Sequence, residues 1–214
     1  MQMIKFTHAC VRLEDAGRRL LIDPGIWTEP EAYDGVTDVL VTHEHHDHVD
    51  AGRLAEVLKA RPDLRVYAPD PVAEELAEEL GAAVTAVAPG QRFEAAGFTV
   101  DTVGGRHAVT YEGMPDCANV GYVIGSGGPA VYHPGDALFV PDIRVDVLLT
   151  PVSGPWFAVR DGLDFIRAVA PQQAYPIHDR PLSPDIGMPL VDGWFERMGR
   201  TSYTRPALGV PVDL

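Results

Sequence analysis

The stretch Thr42-His43-Glu44-His45-His46-Asp47-His48 decides how the rest of this chain is interpreted, because it holds four imidazoles and two carboxylates. It follows the short run Asp38-Val39-Leu40-Val41, which is typical of a buried strand, and it precedes residues 51–60, whose pattern predicts a helix. A loop between a strand and a helix is a common place for a rigid scaffold to present its chemistry. Histidine and aspartate are ordinary ligands of zinc, manganese and iron, so the stretch predicts a metal site. A loop of solvated histidines is the alternative, and the density of the cluster argues against it.

The overall composition is typical of a globular protein. Of the 214 residues, 46% are hydrophobic and 22% are charged. The formal net charge of -14 repels a polyanion, so nucleic acid is not expected as a partner. No apolar run approaches the length of a membrane span, and residues 1–6 lack the apolar core of a signal peptide. We therefore expect one cytoplasmic domain over residues 1–214, with a homo-oligomer as an open alternative.

The two cysteines, Cys10 and Cys117, are expected to be buried free thiols in a reducing compartment. Two alternatives stay open at this point. The cysteines could form one disulfide, or one of them could lie near the metals.

Alternating apolar residues predict two blocks of strands, each followed by helices. The predicted strands are 3–7, 10–14, 19–22, 38–42, 65–68, 84–87, 91–94, 98–103, 119–124, 130–133, 145–151 and 174–177. Helices are predicted over 51–60, between Asp70 as N-cap and Gly81 as C-cap, and over 160–169 and 190–198. The first three strands form an antiparallel meander with its turn at residues 15–18. This order favours two sheets packed face to face with helices outside.

Three further metal-ligand candidates lie at or just beyond the ends of predicted strands, far along the chain. They are His107, Asp136 and His178. A single His or Asp in such a place is more often a hydrogen-bonded structural residue. Three of them, following the first cluster in order, support one another as ligands.

The complete set resembles the metallo-β-lactamase superfamily. Its motif His-x-His-x-Asp-His is matched by residues 43–48, and its later ligands are matched in order by His107, by Asp136 in a Gly-Asp pair, and by His178. The resemblance implies an α+β fold, an αβ/βα four-layer sandwich of two mixed β-sheets with helices outside. A finer similarity, carried by residues 7–10 and 21–24, is to the metal-dependent hydrolases related to ascorbate-6-phosphate lactonase. The chain departs from that branch at Thr7, at Ala137 and after His178, so the substrate stays open.

The resemblance also implies how two divalent metal ions are held. His43, His45 and His107 would bind the first ion, and Asp47, His48 and His178 the second, with Asp136 bridging. Zinc is expected, with manganese, iron or nickel as alternatives. Asp47 is the expected catalytic residue, because it can orient a metal-bound hydroxide and shuttle a proton. His45 stands where diiron flavoproteins of this fold have Glu, which favours the hydrolase type of site.

The function implied is that of a binuclear metal-dependent hydrolase. A metal-bound hydroxide would cleave an ester, lactone or phosphodiester bond of a small molecule. The alternatives are a mononuclear iron oxygenase or redox protein of the same fold, and a metal-binding protein without turnover. Fold alone does not choose among them.

Several other residues are weaker candidates. His8 is either a residue that supports the pocket or a satisfied buried histidine, and Asp23 is expected to hydrogen-bond a ligand imidazole. Arg106 and Arg180 either bind an anionic group of the substrate or form surface ion pairs. Pocket-wall candidates are Trp27, Tyr111 and Trp156, whereas Glu44, His46 and His133 are not expected to bind metal directly.

Overall fold

The strands of the chain assemble into two mixed sheets of seven strands each. The computed structural model describes residues 1–214. The first sheet contains β1 Gln2–Lys5, β2 Val11–Asp15, β3 Arg18–Ile22, β4 Asp38–Leu40, β5 Arg65–Pro69, β6 Val84–Val87 and β14 Pro211–Asp213, in the order β14-β1-β2-β3-β4-β5-β6. The second sheet contains β7 Arg92–Ala95, β8 Phe98–Gly104, β9 Val120–Gly125, β10 Val131–His133, β11 Val147–Pro151, β12 Gln173–Ile177 and β13 Ser202–Tyr203, in the order β13-β12-β11-β10-β9-β8-β7.

Four helices cover the outer faces of the sheets. They are α1 Ala51–Ala60, α2 Asp70–Leu80, α3 Val159–Val169 and α4 Gly187–Met198. Period-two alternation explains the layering, since Leu20 and Ile22 lie in the core between the sheets while Leu21 lies in the core beneath α1 and α2. A third apolar cluster packs α3 and α4 on the second sheet through residues such as Phe165 and Phe195. The predicted four-layer sandwich with helices outside is confirmed.

The direction of the strands brings their carboxyl ends to one edge of the molecule. β3 and β4 are parallel, as are β10, β11 and β12. β1 and β8 run in the same sense as these strands, because each lies two antiparallel pairings away from a strand of its parallel group. The sheets are tied together near this edge, where the Tyr122 hydroxyl donates to the Val41 carbonyl at 2.8 Å and the Val120 amide donates to the Thr42 carbonyl at 2.9 Å.

The predicted strands and helices are confirmed, with shifts of no more than three residues at their ends. The predicted meander is present, and Ala16 and Gly17 form its two-residue turn with φ values of 50° and 81°. The predicted N-cap is wrong: α2 begins at Asp70 itself, Pro69 is the N-cap, and no side chain caps the helix. Gly81 ends α2 as predicted, with φ of 60°.

Four short elements were not predicted. Two 3-10 turns cover Pro30–Tyr33 and Gly81–Ala83, and β13 and β14 contain two and three residues. Segments this short carry no periodicity, and β14 begins with a proline.

The disulfide alternative is wrong, since both cysteines are free thiols. Cys10 is buried as expected, whereas Cys117 is only partly buried. None of the helices is long and apolar enough to cross a membrane.

Candidate metal centre

The seven predicted ligands come together at the shared edge of the two sheets. Each lies in the loop that follows a strand: the histidine-rich stretch after β4, His107 after β8, Asp136 after β10 and His178 after β12. Two close groups result. One consists of His43, His45, His107 and Asp136, and the other of His8, Asp47, His48 and His178, each with ligand atoms within 4.8 Å of one another.

Asp136 lies between the two groups. Its Oδ2 is 3.3 Å from His107 Nε2 and 3.0 Å from His178 Nε2, and its Oδ1 is 3.0 Å from His48 Nε2. His43 Nε2 is 3.9 Å from the same Oδ2. One carboxylate therefore faces donors from both groups, which is the arrangement a bridging ligand requires.

Unsatisfied polar atoms inside the centre fit metal ions. The Nε2 atoms of His48 and His107 and the Oδ1 atom of Asp136 are buried and form no hydrogen bond, although His48 Nε2 and Asp136 Oδ1 are close together. Buried polar atoms without a partner are rare in folded proteins. Imidazole nitrogen and carboxylate oxygen are the donors that zinc and related ions take, so these residues suit divalent metal.

Asp23 fixes the orientation of His48, as the sequence predicted. Its Oδ2 lies 2.6 Å from His48 Nδ1, and its two oxygens accept the Thr42 amide at 2.8 Å and the Thr42 hydroxyl at 2.7 Å. All three contacts are buried. Because His48 Nδ1 carries the proton that faces this carboxylate, Nε2 is the nitrogen that a metal ion would take.

The same reasoning identifies which nitrogen is protonated in His43 and in His107. The single hydroxyl proton of Thr42 goes to Asp23, so Thr42 Oγ1 accepts from His43 Nδ1, 3.0 Å away. His107 Nδ1 donates to the Ala108 carbonyl at 2.6 Å. Both imidazoles therefore turn an unprotonated Nε2 inward.

His8 has the opposite tautomer. The Arg180 amide can only donate, and it lies 3.3 Å from His8 Nδ1. His8 Nε2 therefore carries the proton and donates to Asp47 Oδ2 at 3.0 Å. His8 holds Asp47 in place rather than offering a lone pair, which answers the question the sequence left open.

Carboxylates and imidazoles in the centre shift one another's pKa values. Burial lowers the pKa of His48, but the charges of Asp136 and Asp23 outweigh burial and raise it well above its usual value. Burial likewise lowers the pKa of His178, while hydrogen bonds with Asp136 and Asp47 raise it to about 9. The two histidines that face carboxylates thus hold protons that a metal ion would displace.

The backbone around the centre is unusually constrained. His8, Asp23 and His178 all have left-handed φ values, of 67°, 49° and 56°. A Cβ atom on Gly25 would lie 2.0 Å from the Asp47 carbonyl oxygen, so only glycine allows the two loops to approach this closely. The loops are fixed by backbone packing as well as by side chains.

Two contacts to Asp136 were not predicted. Trp156 Nε1 donates to Asp136 Oδ2 at 3.2 Å, and the Asn119 side chain accepts the Asp136 amide at 2.9 Å. Trp156 was expected only as a pocket wall. Asn119 gave no signal beyond being a polar residue at the start of an apolar strand.

The remaining candidates lie outside the two groups. His46 is exposed, and His133 is buried with its Nε2 2.9 Å from the Ala9 carbonyl. Arg106 forms an ion pair with Asp116. Cys117 lies beside Glu44 and His45, so one cysteine is indeed near the centre; burial raises the pKa of its thiol to about 11.

Comparison with known proteins agrees with this fold. The model of the β-lactamase superfamily domain matches residues 2–178, so the chain belongs to the β-lactamase superfamily and has the metallo-β-lactamase fold. Among solved structures, YhfI of Bacillus subtilis has a TM-score of 0.80 at 14% identity, covering 99% of this chain and 98% of that one. Igni18, a metallo hydrolase from Ignicoccus hospitalis, has a TM-score of 0.77 at 20% identity, covering 100% and 98%. These two likenesses show the fold.

Relatives found by sequence identify the family to which the chain belongs within this superfamily. Protein Rv0786c of Mycobacterium tuberculosis is 41% identical over 188 residues, which are 86% of this chain and 87% of that protein. A UPF0173 metal-dependent hydrolase of Aeropyrum pernix is 30% identical over 198 residues, which are 80% of this chain and 79% of that protein. The chain is thus a member of the family of metal-dependent hydrolases within this superfamily. The finer resemblance to proteins related to ascorbate-6-phosphate lactonase stays a prediction.

Proposed function

We propose that this protein is a binuclear metal-dependent hydrolase that cleaves an ester, lactone or phosphodiester bond of a small molecule. The observation that carries the proposal is the position of Asp136 between two groups of inward-facing donors. The names of its relatives, metal-dependent hydrolases, support the reaction class.

In this proposal the residues divide as their positions suggest. His43, His45 and His107 would hold one ion, Asp47, His48 and His178 would hold the other, and Asp136 would be shared between them. Two bound divalent ions would supply an activated water molecule and would polarise the oxygen of the scissile bond.

Asp47 is the residue that would orient the attacking water. Its side chain is 26% exposed, unlike the buried Asp136, so it stands where the centre opens to solvent. Burial raises the pKa of Asp47, but hydrogen bonds from His178 and His8 lower it far below its usual value. A carboxylate that stays ionised accepts a hydrogen bond from water and aligns it, which is the role we assign to Asp47.

A cavity beside the first group supports a small substrate. This loop cavity, lined by His45 and the segment 106–117, has a volume of about 270 Å³. Its rim carries the exposed apolar residues Val109, Tyr111 and Met114. Pockets of a few hundred Å³ with apolar walls hold small molecules, whereas a polymer needs an open groove.

Metal content and hydrolysis together test the proposal. Purified protein is assayed for metal per chain, and for hydrolysis of an ester, a lactone and a phosphodiester, before and after chelation. About two equivalents with chelator-sensitive hydrolysis are expected for a binuclear site. His48→Gln should remove both metal and activity, while His46→Gln, in the same loop but outside both groups, should keep them.

Three results would count against the proposal. One equivalent of iron without hydrolysis would favour the redox alternative. Metal binding without turnover of any bond class would favour the non-catalytic one. Failure to bind zinc or manganese on reconstitution would overturn the metal centre itself.

A further inference from the structure

A second cavity shares no lining residue with the loop cavity. This arginine cavity has a volume of about 400 Å³ and includes Arg180, Leu182, Met188, Arg205 and Leu208 in its lining. It also reaches His8, the residue that holds Asp47. The cavity is therefore a neighbour of the second ligand group.

Arg180 is the cation of this cavity without a carboxylate partner. Arg205 is paired with Asp179 and Asp192, and the buried Lys5 lies 3.2 Å from Asp179. Arg180 forms no ion pair, although the chain carries a net charge of -14, and its guanidinium instead lies over the ring of Trp27 at 5.9 Å. A planar cation held against a ring, with its hydrogen-bonding edge free, is suited to carboxylate or phosphate.

Contacts link Arg180 to the metal centre. The backbone amide of Arg180 donates to His8, and Arg180 follows His178 by two residues. Trp27 contacts both Arg180 and His8. Its ring lies beneath the Arg180 guanidinium, and its centroid is 5.2 Å from that of the His8 ring. A group bound to Arg180 would thus lie at the rim of the second ligand group rather than on a remote surface.

The cavity beyond Arg180 is mainly apolar in its accessible walls. Leu182, Pro184, Met188 and Leu208 provide these walls, and Leu208 is itself 50% exposed. An apolar chain laid along them would remove this surface from water. The arginine cavity therefore combines one cation that has no ion-pair partner with apolar walls.

From this combination we infer that the substrate carries an anionic oxyacid group, a carboxylate or a phosphate, on an apolar body. Arg180 binds the anion, and the apolar body packs along the arginine cavity while the scissile bond lies at the metal centre. This inference rests on the proposed hydrolase function and adds the substrate class.

A matched pair of substrates tests the inference through activity. Two nitrophenyl esters of equal chain length are compared, one ending in a carboxylate and the other in a methyl group. We expect kcat/KM for the anionic ester to exceed that for the neutral ester by about tenfold. This factor corresponds to the weakest hydrogen bonds with charged groups, as suits an exposed site. Arg180→Gln should abolish the preference. Arg197→Gln is the control, because Arg197 also lies over a tryptophan, Trp194, at 5.4 Å, but is far along α4 and forms no ion pair.

Binding gives a readout that does not depend on turnover. Dissociation constants of hexanoate, hexyl phosphate and neutral hexanamide are measured by calorimetry on metal-loaded wild type, Arg180→Gln and Arg197→Gln. Metal ions contribute equally in the two variants, so their difference isolates Arg180. The expected result is about tenfold weaker binding of at least one anion in Arg180→Gln alone, and the better of the two anions identifies the head group.

The outcomes separate the two proposals. If no ester, lactone or phosphodiester is hydrolysed but anion binding still depends on Arg180, the hydrolase function fails and the anion site stands. If esters are hydrolysed without any preference and the two variants bind the anions equally, the anion site is overturned and the hydrolase function stands.

Discussion

Replacing Asp23 by Asn is the sharpest single perturbation of the metal centre. Asp23 is fully buried, and its carboxylate receives three donors, the Thr42 amide, the Thr42 hydroxyl and His48 Nδ1. Asparagine keeps the shape but turns one oxygen into an NH₂ group. In either orientation of the side-chain amide, its NH₂ group faces another hydrogen-bond donor.

Each orientation has its own consequence. If the NH₂ group meets the Thr42 amide, a buried donor is left unsatisfied, which costs about 1–3 kcal/mol. If it meets His48, that imidazole must accept at Nδ1 and move its proton to Nε2, the atom 3.0 Å from Asp136 Oδ1. A protonated Nε2 cannot bind metal. Loss of such a supporting hydrogen bond typically weakens metal affinity by about 10–100-fold.

The assay is competition with a chelator of known affinity, together with urea unfolding of the metal-free protein. We expect Asp23→Asn to lower the free energy of unfolding by about 1–3 kcal/mol if its NH₂ group meets the Thr42 amide, or to weaken metal binding at the second group by about 10–100-fold if it meets His48. Asp50→Asn is the matched control, because Asp50 caps α1 by accepting from the Arg53 amide at 2.9 Å and Asn caps helices equally well. Wild-type metal affinity combined with wild-type stability in Asp23→Asn would refute the hydrogen-bond argument for Asp23.

Three further predictions concern stability. In the metal-free protein the raised pKa of His178, about 9 against an ordinary 6.5, adds stability that is full below pH 6.5 and lost as pH rises through 9. Unfolding free energy should fall by up to about 3 kcal/mol over that range, and a flat urea profile would contradict this. Gly25→Ala should lower the free energy of unfolding by about 3 kcal/mol in urea and displace the loop that contains Asp47. Gly128→Ala, where a Cβ meets nothing, should leave the free energy of unfolding nearly unchanged. Zinc at a hundred times its dissociation constant should stabilise the protein by about 2.7 kcal/mol, and a melting temperature independent of zinc would contradict a site in the folded state.

Convergence of the ligands was predictable because of where they stand along the chain. His107, Asp136 and His178 each follow a strand, and parallel strands bring their carboxyl ends to one edge. Residue type and position were therefore sufficient to expect one cluster.

Orientation within the cluster was not predictable from sequence. The tautomer of His8 depends on the Arg180 amide, which is 172 residues away in the chain. Asn119 supports Asp136 through a contact between two different loops. Such contacts appear only once the backbone is in place, and no local pattern encodes them.

The N-cap error at α2 has a similar cause. Asp70 before Pro71 is a common way to begin a helix, yet the chain has Pro69 in the cap position and extends the helix by one residue. Pro69 also ends β5, so the strand decides where the helix begins.

The left-handed backbone at His8, Asp23 and His178 has an evolutionary consequence. Each such residue gives up about 1–2 kcal/mol of stability relative to an ordinary conformation, in a fold whose total margin is about 5–15 kcal/mol. Glycine would relieve the backbone at any of these positions, but it would also delete the side chain that the centre uses. Selection for stability therefore favours glycine at these positions, whereas selection for metal chemistry favours the present side chains. A descendant that abandoned the reaction would be expected to change these three residues early and to gain stability by doing so.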